Sequence, residues 1–212
     1  MSLTLRGKDI PLSQIKPRAY CEMMHAERLP TAQTRWVAEG TDFGTDWSKV
    51  YALPFQASAS TRLQSLQYRI THRYFPTRRF LFIRGVTEDP FCDNCGEVET
   101  LSHLFCTCPA VQPFWDALLE IINSRVENGI FTERDILFGG IKSNAVVNMI
   151  LLVAKQFLIH CRQRDYAPNL RAFRPTLLRA FDTEKASAVK NGKLDHFRER
   201  WAPFLQDDTL CL

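Results

Sequence analysis

The chain has 212 residues, of which 45% are apolar and 24% are charged. This balance is typical of a globular protein with one domain or two small ones, and it excludes a collagen-like or low-complexity disordered chain. Residues 1–15 contain no apolar run of the kind that a secretory signal needs. The longest apolar stretch, 145–159, falls short of the roughly 20 residues that span a bilayer. We therefore expect an intracellular protein, cytoplasmic or nuclear, without membrane contact.

The net charge of +4 hides an uneven distribution along the chain. Residues 47–87 carry seven basic and no acidic side chains, and residues 162–200 carry ten basic and five acidic ones. The intervening residues 88–161 carry four basic and ten acidic side chains. Separated positive regions suit a polyanionic partner, so the distribution favours nucleic acid.

Helical periodicity dominates the first half of the chain. Residues 17–29 form the first predicted helix, and Asp46 is a good N-cap for a second, short helix that we expect Pro54 to end. Leu63, Leu66 and Ile70 recur at helical spacing within 59–74. Thr77 then caps a further short helix before the cysteine-rich segment.

The second half also predicts helices. An amphipathic helix follows Pro109, and Thr132 with Asp135 resembles a capping box for a short one. Residues 146–161 are apolar nearly all round, which predicts a central buried helix. We expect Pro175 to open the next helix and residues 194–201 to form the last. The predicted fold is mostly α, an irregular helical domain organised around a metal site. The sequence of that site is also compatible with a short hairpin.

Four regions follow from these patterns. They are an N-terminal helical or irregular segment (1–45), arginine-rich helices with a cysteine and histidine core (46–130), a C-terminal helical subdomain (131–205) and a tail (206–212).

Four of the seven cysteines lie within residues 92–108. In a reducing compartment such clustering indicates a metal rather than disulfides. The pattern Cys-x2-Cys-x7-His-x4-Cys offers zinc four ligands, Cys92, Cys95, His103 and Cys108. Four protein ligands leave no position for water, so the site should be structural. Cys106 follows His103 at a spacing that is also feasible, and the residues alone leave Cys106 and Cys108 open as the fourth ligand.

The motifs around this site resemble a known family. They are residues 66–73 (LQYRITHR), residues 76–81 (PTRRFL), the pair Glu99-Thr100, the run His103-Leu104-Phe105, and the pair Phe114-Trp115. They look like the zinc-binding region that follows the reverse transcriptase in LINE-type non-LTR retrotransposon polyproteins, a CCHC zinc knuckle. The resemblance covers roughly residues 45–205.

The resemblance implies one structural Zn²⁺ with Cys108 as the fourth ligand. It implies a role in holding RNA, with target DNA as a further ligand, and the reverse-transcriptase part of such a protein as a partner. The chain lacks the polymerase Asp-Asp box in a strand–turn setting and an upstream endonuclease. We therefore expect a non-catalytic module.

Arginine and tyrosine side chains in the acid-free region are the candidate nucleic-acid contacts: Arg62, Arg69, Arg73, Arg78, Arg79, Arg84, Tyr68 and Tyr74. Guanidinium groups suit forked contacts to phosphate, and aromatic rings can stack on unpaired bases. On a helix over 59–74, Arg62, Arg69 and Arg73 fall within about 40° of one another. The metal site lies among acidic residues, so we expect it to fix the arginine-bearing helices against the Trp115 helix rather than to bind phosphate.

Two other functions compete with this one. The domain could be a protein-interaction or structural module that docks to a polymerase. It could also be a metal-dependent nuclease fragment, for which Asp165, Asp182 and Glu184-Lys185 are the candidate residues.

Overall fold

The computed structural model describes residues 2–5, 8–11, 31–38, 46–126, 130–140, 145–206 and 209–210. The chain divides into two compact units, Met1–Gly44 and Thr45–Leu212. The helix predicted over 17–29 lies outside the described residues. The sequence division of 46–205 at residue 130 stays a prediction.

The first unit contains a hairpin that the sequence analysis did not predict for segment 1–45. Strands β1 (Ser2–Leu5) and β2 (Lys8–Pro11) pair antiparallel, with Leu3 opposite Ile10. Strands of four residues are at the lower limit of what apolar alternation can indicate, so the pattern gave little signal. Helix α1 (Thr31–Ala38) buries Ala32 and Trp36, which lie one helical turn apart.

The second unit is built of helices and short turns. In chain order these are α2 (Trp47–Ala57), α3 (Thr61–Thr71), α4 (Arg78–Phe82), a π-helical turn (His103–Thr107), α5 (Gln112–Arg125), α6 (Glu133–Phe138), α7 (Ala145–Gln163), α8 (Leu170–Lys190), α9 (Leu194–Trp201) and a 3₁₀ turn (Ala202–Phe204). Two-residue strands β3 (Leu205–Gln206) and β4 (Thr209–Leu210) pair antiparallel across the predicted boundary between the C-terminal subdomain and the tail. The prediction of a mostly α fold is confirmed.

Several predicted helix starts are confirmed by their capping hydrogen bonds. The side chain of Asp46 accepts from the backbone N–H of Lys49, and that of Thr77 accepts from Phe80. Thr132 and Asp135 form a complete capping box. Each cap satisfies backbone donors that the first helical turn leaves without a partner.

Two prolines do not act as the sequence analysis expects. Pro54 lies inside α2, and Pro175 lies inside α8, which begins at Leu170 with Asn169 as its N-cap. A proline inside a helix removes one backbone hydrogen bond and costs about 3 kcal/mol. Burial of flanking side chains, such as Phe173 and Leu177 in α8, offsets that cost.

Helix α7 is the centre of the core, as its composition predicts. Thirteen of its residues are buried, and it packs against α2, α3, α8 and α9. By length and composition alone it could cross a membrane, but 72% of its most apolar 18-residue window is buried inside the protein. The rings of Phe114, Phe157 and Phe173 meet beside it, with centroids 5.4–5.5 Å apart.

Lys155 of α7 is 1% exposed and lies at the junction of three helices. Its Nζ donates to Oε1 of Gln67 on α3 at 2.5 Å and to the carbonyl of Leu137 on α6 at 3.1 Å. Burial lowers the pKa of Lys155 from 10.5 to about 7. Lys155 therefore links α3, α6 and α7 through hydrogen bonds, which its amine donates whether or not it is protonated.

This lysine makes stability depend on pH. Between about pH 7 and pH 10.5 the unfolded chain binds a proton at Lys155 that the folded chain does not, so the free energy of unfolding should rise with pH over that window. The variant Lys155→Met should lack this rise. Thermal unfolding of both proteins at pH 7, 8.5 and 10 measures it. A stability difference between the two that stays constant with pH would contradict the prediction.

Candidate metal centre

The first two ligands are positioned by a tight turn. Phe91 and Val98 form an antiparallel bridge, so the expected hairpin at the metal site is a single pair. Inside it, the N–H of Cys92 donates to the carbonyl of Glu97 at 2.7 Å, and the N–H of Gly96 donates to that of Cys92 at 2.9 Å. Gly96 has φ +75°, a left-handed conformation that glycine adopts without strain. The turn brings the sulfurs of Cys92 and Cys95 to one side.

The other two ligands are positioned by the π-helical turn. The N–H of Cys108 donates to the carbonyl of His103, five residues earlier, at 3.0 Å. In an α-helix, residues five apart point about 140° away from each other. In the wider π turn, Cys108 lies on the same side as His103. This geometry explains why four residues separate the two ligands.

The same turn moves Cys106 away from the site. On an α-helix Cys106 would share a face with His103, three residues earlier, which is why the sequence left it open as a ligand. In the π turn its sulfur lies 3.9 Å from the carbonyl of Glu133 on α6 instead. Burial raises the pKa of this thiol well above its ordinary value.

The four ligand atoms converge, lying within 4.8 Å of one another. The sulfur of Cys95 is 3.3 Å from Nε2 of His103 and 4.0 Å from the sulfur of Cys108, which in turn is 3.9 Å from that of Cys92. A tetrahedral zinc with bonds of about 2.0–2.3 Å requires ligand separations of roughly 3.5–3.8 Å. The cluster therefore has the dimensions of a zinc site.

A carboxylate sets the orientation of the histidine. Nδ1 of His103 lies 3.3 Å from Oε2 of Glu97, and the imidazole is only 4% exposed. A proton on Nδ1, donated to Glu97, leaves the lone pair of Nε2 directed into the cluster. Carboxylate–histidine pairs of this kind orient metal ligands and make them more basic.

Burial makes ionisation of the fourth ligand, Cys108, depend on a metal. Burial raises the pKa of the Cys108 thiol to about 12, so this thiol stays protonated unless a metal displaces its proton. A cavity of about 210 Å³ beside Cys92 and Cys108 provides access for an ion. Three sulfurs and one imidazole in a closed set suit zinc and leave no coordination position for substrate.

Residues 22–115 match the family model described as zinc-binding in reverse transcriptase. The match supports a reverse transcriptase zinc-binding domain in this segment. The match contains all four ligands, and with the cluster it supports one structural zinc. No curated protein matches the chain.

Glu99 connects the zinc-binding turn to two arginine-bearing helices. It is 3% exposed, and its Oε1 accepts from the N–H of Arg78 at 2.6 Å and pairs with Nη2 of Arg162 at 2.8 Å. Arg162 also donates to the carbonyl of Pro76 at 3.2 Å. Glu99 belongs to a motif of the family resemblance and to the acidic surroundings of the metal site, but the sequence pattern carries no sign of its distant partner in α7.

Two further contacts hold the domain together around the metal. Nη2 of Arg78 donates to both carboxylate oxygens of Asp93, which lies between the first two cysteines. Nε1 of Trp115 donates to the carbonyl of Phe105 in the π turn at 2.6 Å, and both side chains are buried. The turn that carries His103 is thereby fixed to α5, and the Cys92–Cys95 turn to α4.

The structure separates the predicted nucleic-acid residues into groups. Arg62, Arg69, Arg79 and Arg84 are exposed, whereas Arg73 and Arg78 are half-buried. The guanidinium of Arg84 lies 3.5 Å from the centroid of the Phe80 ring. Arg78 is held by Asp93, so its first role is to anchor α4.

Arg73 does not continue the helical stripe of Arg62 and Arg69. Helix α3 ends at Thr71, and Arg73 has φ +60°. The N–H of Tyr74 donates to the carbonyl of Arg69 at 2.8 Å, which closes a Schellman motif. Of the three arginines predicted to share one helical face, only Arg62 and Arg69 therefore lie on the helix.

The end of α3 carries an aromatic cluster, formed by Tyr51, Tyr68, His72 and Tyr74. The centroids of Tyr68 and His72 are 4.2 Å apart, and the rings of His72 and Tyr74 are within 7° of parallel. Tyr68 is 56% exposed and Tyr74 is 48% exposed. The cluster presents ring faces and edges to solvent beside Arg69.

We predict that Cys106 and Cys108 differ sharply as zinc ligands. Cys108→Ala should lose bound zinc, since it removes one of the four converging atoms. Cys106→Ala, two residues away, should retain one zinc per chain. Metal analysis of both purified variants by mass spectrometry provides the measurement. Equal zinc content in the two variants would contradict the assignment.

We predict that Glu99→Gln lowers the free energy of unfolding by about 2 kcal/mol, because the half-buried guanidinium of Arg162 loses its carboxylate. Urea unfolding of the zinc-loaded protein measures the change. Glu88→Gln, at an exposed acid of the same segment, is the matched control and should leave stability unchanged. Similar unfolding midpoints for the two variants would count against a structural role for Glu99.

Proposed function

We propose that this chain is a non-catalytic, zinc-stabilised module that binds nucleic acid, RNA first and DNA by the same chemistry, and that derives from a LINE-type reverse-transcriptase polyprotein. The observation that supports it best is the aromatic cluster at the end of α3. Exposed rings beside arginines are the arrangement with which proteins bind unpaired bases and phosphates together. Its expected location is inside the cell, with the reverse-transcriptase part as a partner.

Zinc acts in this proposal through structure. The ion holds the two turns that carry Asp93, Glu99 and His103, and these anchor α4 and the end of α7. The Cys92–Cys95 turn itself carries acidic side chains, so phosphate should approach the arginines of α3 and α4 rather than the metal. Removal of zinc should therefore weaken folding and nucleic-acid binding together.

The test is binding of a fluorescein-labelled 12-nucleotide RNA to the zinc-loaded chain, followed by fluorescence anisotropy. The double variant Tyr68→Ala/Tyr74→Ala should weaken binding at least tenfold, since each base–ring stack contributes about 1–3 kcal/mol. Phe55→Ala is the matched control, because Phe55 is 68% exposed and lies outside the cluster. Chelation of zinc should abolish binding.

Two results would contradict the proposal. One is an affinity that does not change with salt concentration, since phosphate contacts release counterions. The other is equal affinity for the tyrosine double variant and the Phe55 control.

A second candidate function is docking to a protein, and a specific surface favours it. Five apolar side chains at the end of α4, in the turn after it and at the Phe91–Val98 bridge are exposed: Phe82 (45%), Ile83 (68%), Val86 (66%), Phe91 (48%) and Val98 (42%). Exposed apolar side chains concentrated in one region often mark protein interfaces. Ile83→Asp/Val86→Asp should then weaken association with the polymerase part while leaving RNA affinity unchanged.

A further inference from the structure

The two basic regions of the sequence meet at one groove. Helix α3 forms one wall and α8 forms the other. Residues of α7 between Met149 and Gln163 form the floor. Arg62 and Arg69 line it from α3, and Arg179 lines it from α8. Its volume is about 480 Å³, within the roughly 300–1,000 Å³ range of small-ligand sites.

The groove arginines are available for a ligand. Arg62, Arg69 and Arg179 are exposed, and none has an acidic partner within ion-pair distance among the residues that the structure describes. One acidic side chain, Glu184, also lines the groove, but its Oε1 accepts from Oγ of Ser58 at 2.5 Å and from the N–H of Ala59 at 2.9 Å. The groove therefore has an excess of free positive charge.

The floor of the groove suits bases rather than more phosphate. Ile159 is partly exposed and His160 and Gln163 are exposed there, above the buried side chains of Met149 and Phe157. Bases must be unpaired to turn their faces toward such a floor, because a duplex keeps them stacked inside. The combination of cationic walls and an uncharged floor that carries an exposed imidazole suits a single strand.

The groove is continuous in sequence with the aromatic cluster. Arg69 and Phe75 line the groove, with the guanidinium of Arg69 5.8 Å from the Phe75 ring centroid. Tyr68 and Tyr74, the immediate neighbours of these two residues, belong to the cluster. Arg69 and Phe75 thus join the groove to the cluster along the chain.

We infer that the groove between α3 and α8 binds a single-stranded nucleic acid, with phosphates on Arg62, Arg69 and Arg179 and bases against the α7 floor. This inference rests on the proposed function and extends it, because Arg179 belongs to the second basic region. That region thereby becomes part of the same surface as the arginines of α3.

The test measures the binding of labelled 12-nucleotide oligo(U) and oligo(dT) to the zinc-loaded full chain between 50 and 200 mM salt. Arg179→Gln should weaken binding about tenfold and reduce the slope of log affinity against log salt by about 0.7, the contribution of one phosphate contact. Arg62→Gln should do the same from the opposite wall. Thermal unfolding checks that each variant is folded.

Arg174→Gln is the matched control. Arg174 is an exposed arginine on the same helix, and its substitution removes the same charge outside the groove. A clear effect of Arg179→Gln with little effect of Arg174→Gln supports the groove for either oligonucleotide. Equal effects overturn it and leave the proposed function in place, whereas no salt-dependent binding by the unmodified chain overturns both. Competition by polyglutamate as effective as that by RNA also overturns the inference, because the groove would then accept any polyanion.

Discussion

The structure depends on one constraint, the convergence of three sulfurs and one imidazole within a 17-residue segment. Such a short segment can direct four side chains to one point only if its backbone reverses direction and then winds in a wider helical turn than usual. The left-handed Gly96 permits the reversal, and the π turn from His103 to Thr107 supplies the widening. A bound ion offsets the entropic cost of fixing both features, because metal-binding free energy is also folding free energy in such sites.

The consequences of this constraint extend beyond the ligands through a few polar contacts. Asp93 and Glu99 lie between ligands in the sequence and hold Arg78, the first residue of α4. Glu99 also holds Arg162 near the end of α7, and Trp115 fixes the π turn to α5. The segment that carries the zinc ligands thus contacts three helices, α4, α5 and α7, although no ligand lies on any of them.

The sequence predicts the parts of this arrangement that local chemistry determines. Ligand spacing identifies the cluster, capping side chains at Asp46, Thr77 and Thr132 mark helix starts, and the uniform apolar surface of α7 predicts its burial. The sequence pattern mispredicts helix ends where tertiary contacts override local conformational preference. Pro54 and Pro175 lie inside helices because burial on both sides outweighs one lost hydrogen bond.

Local sequence patterns also do not reveal the role of Glu99, and they do not choose between Cys106 and Cys108 as the fourth ligand. The first depends on Arg162, which is distant in sequence, and the second on a π turn that residue types alone do not indicate. The groove follows the same logic, because the charges of Arg62 and Arg179 are visible in the sequence but their meeting across α7 is a property of the fold.

The most direct test of the central claim is X-ray absorption at the zinc edge of the purified chain. The account predicts one zinc per chain with three sulfur ligands at about 2.3 Å and one nitrogen at about 2.0–2.1 Å. A fourth sulfur would place Cys106 in the site in place of His103. A shell of mainly oxygen and nitrogen would show that the cysteines do not hold the metal, and either result would contradict the account.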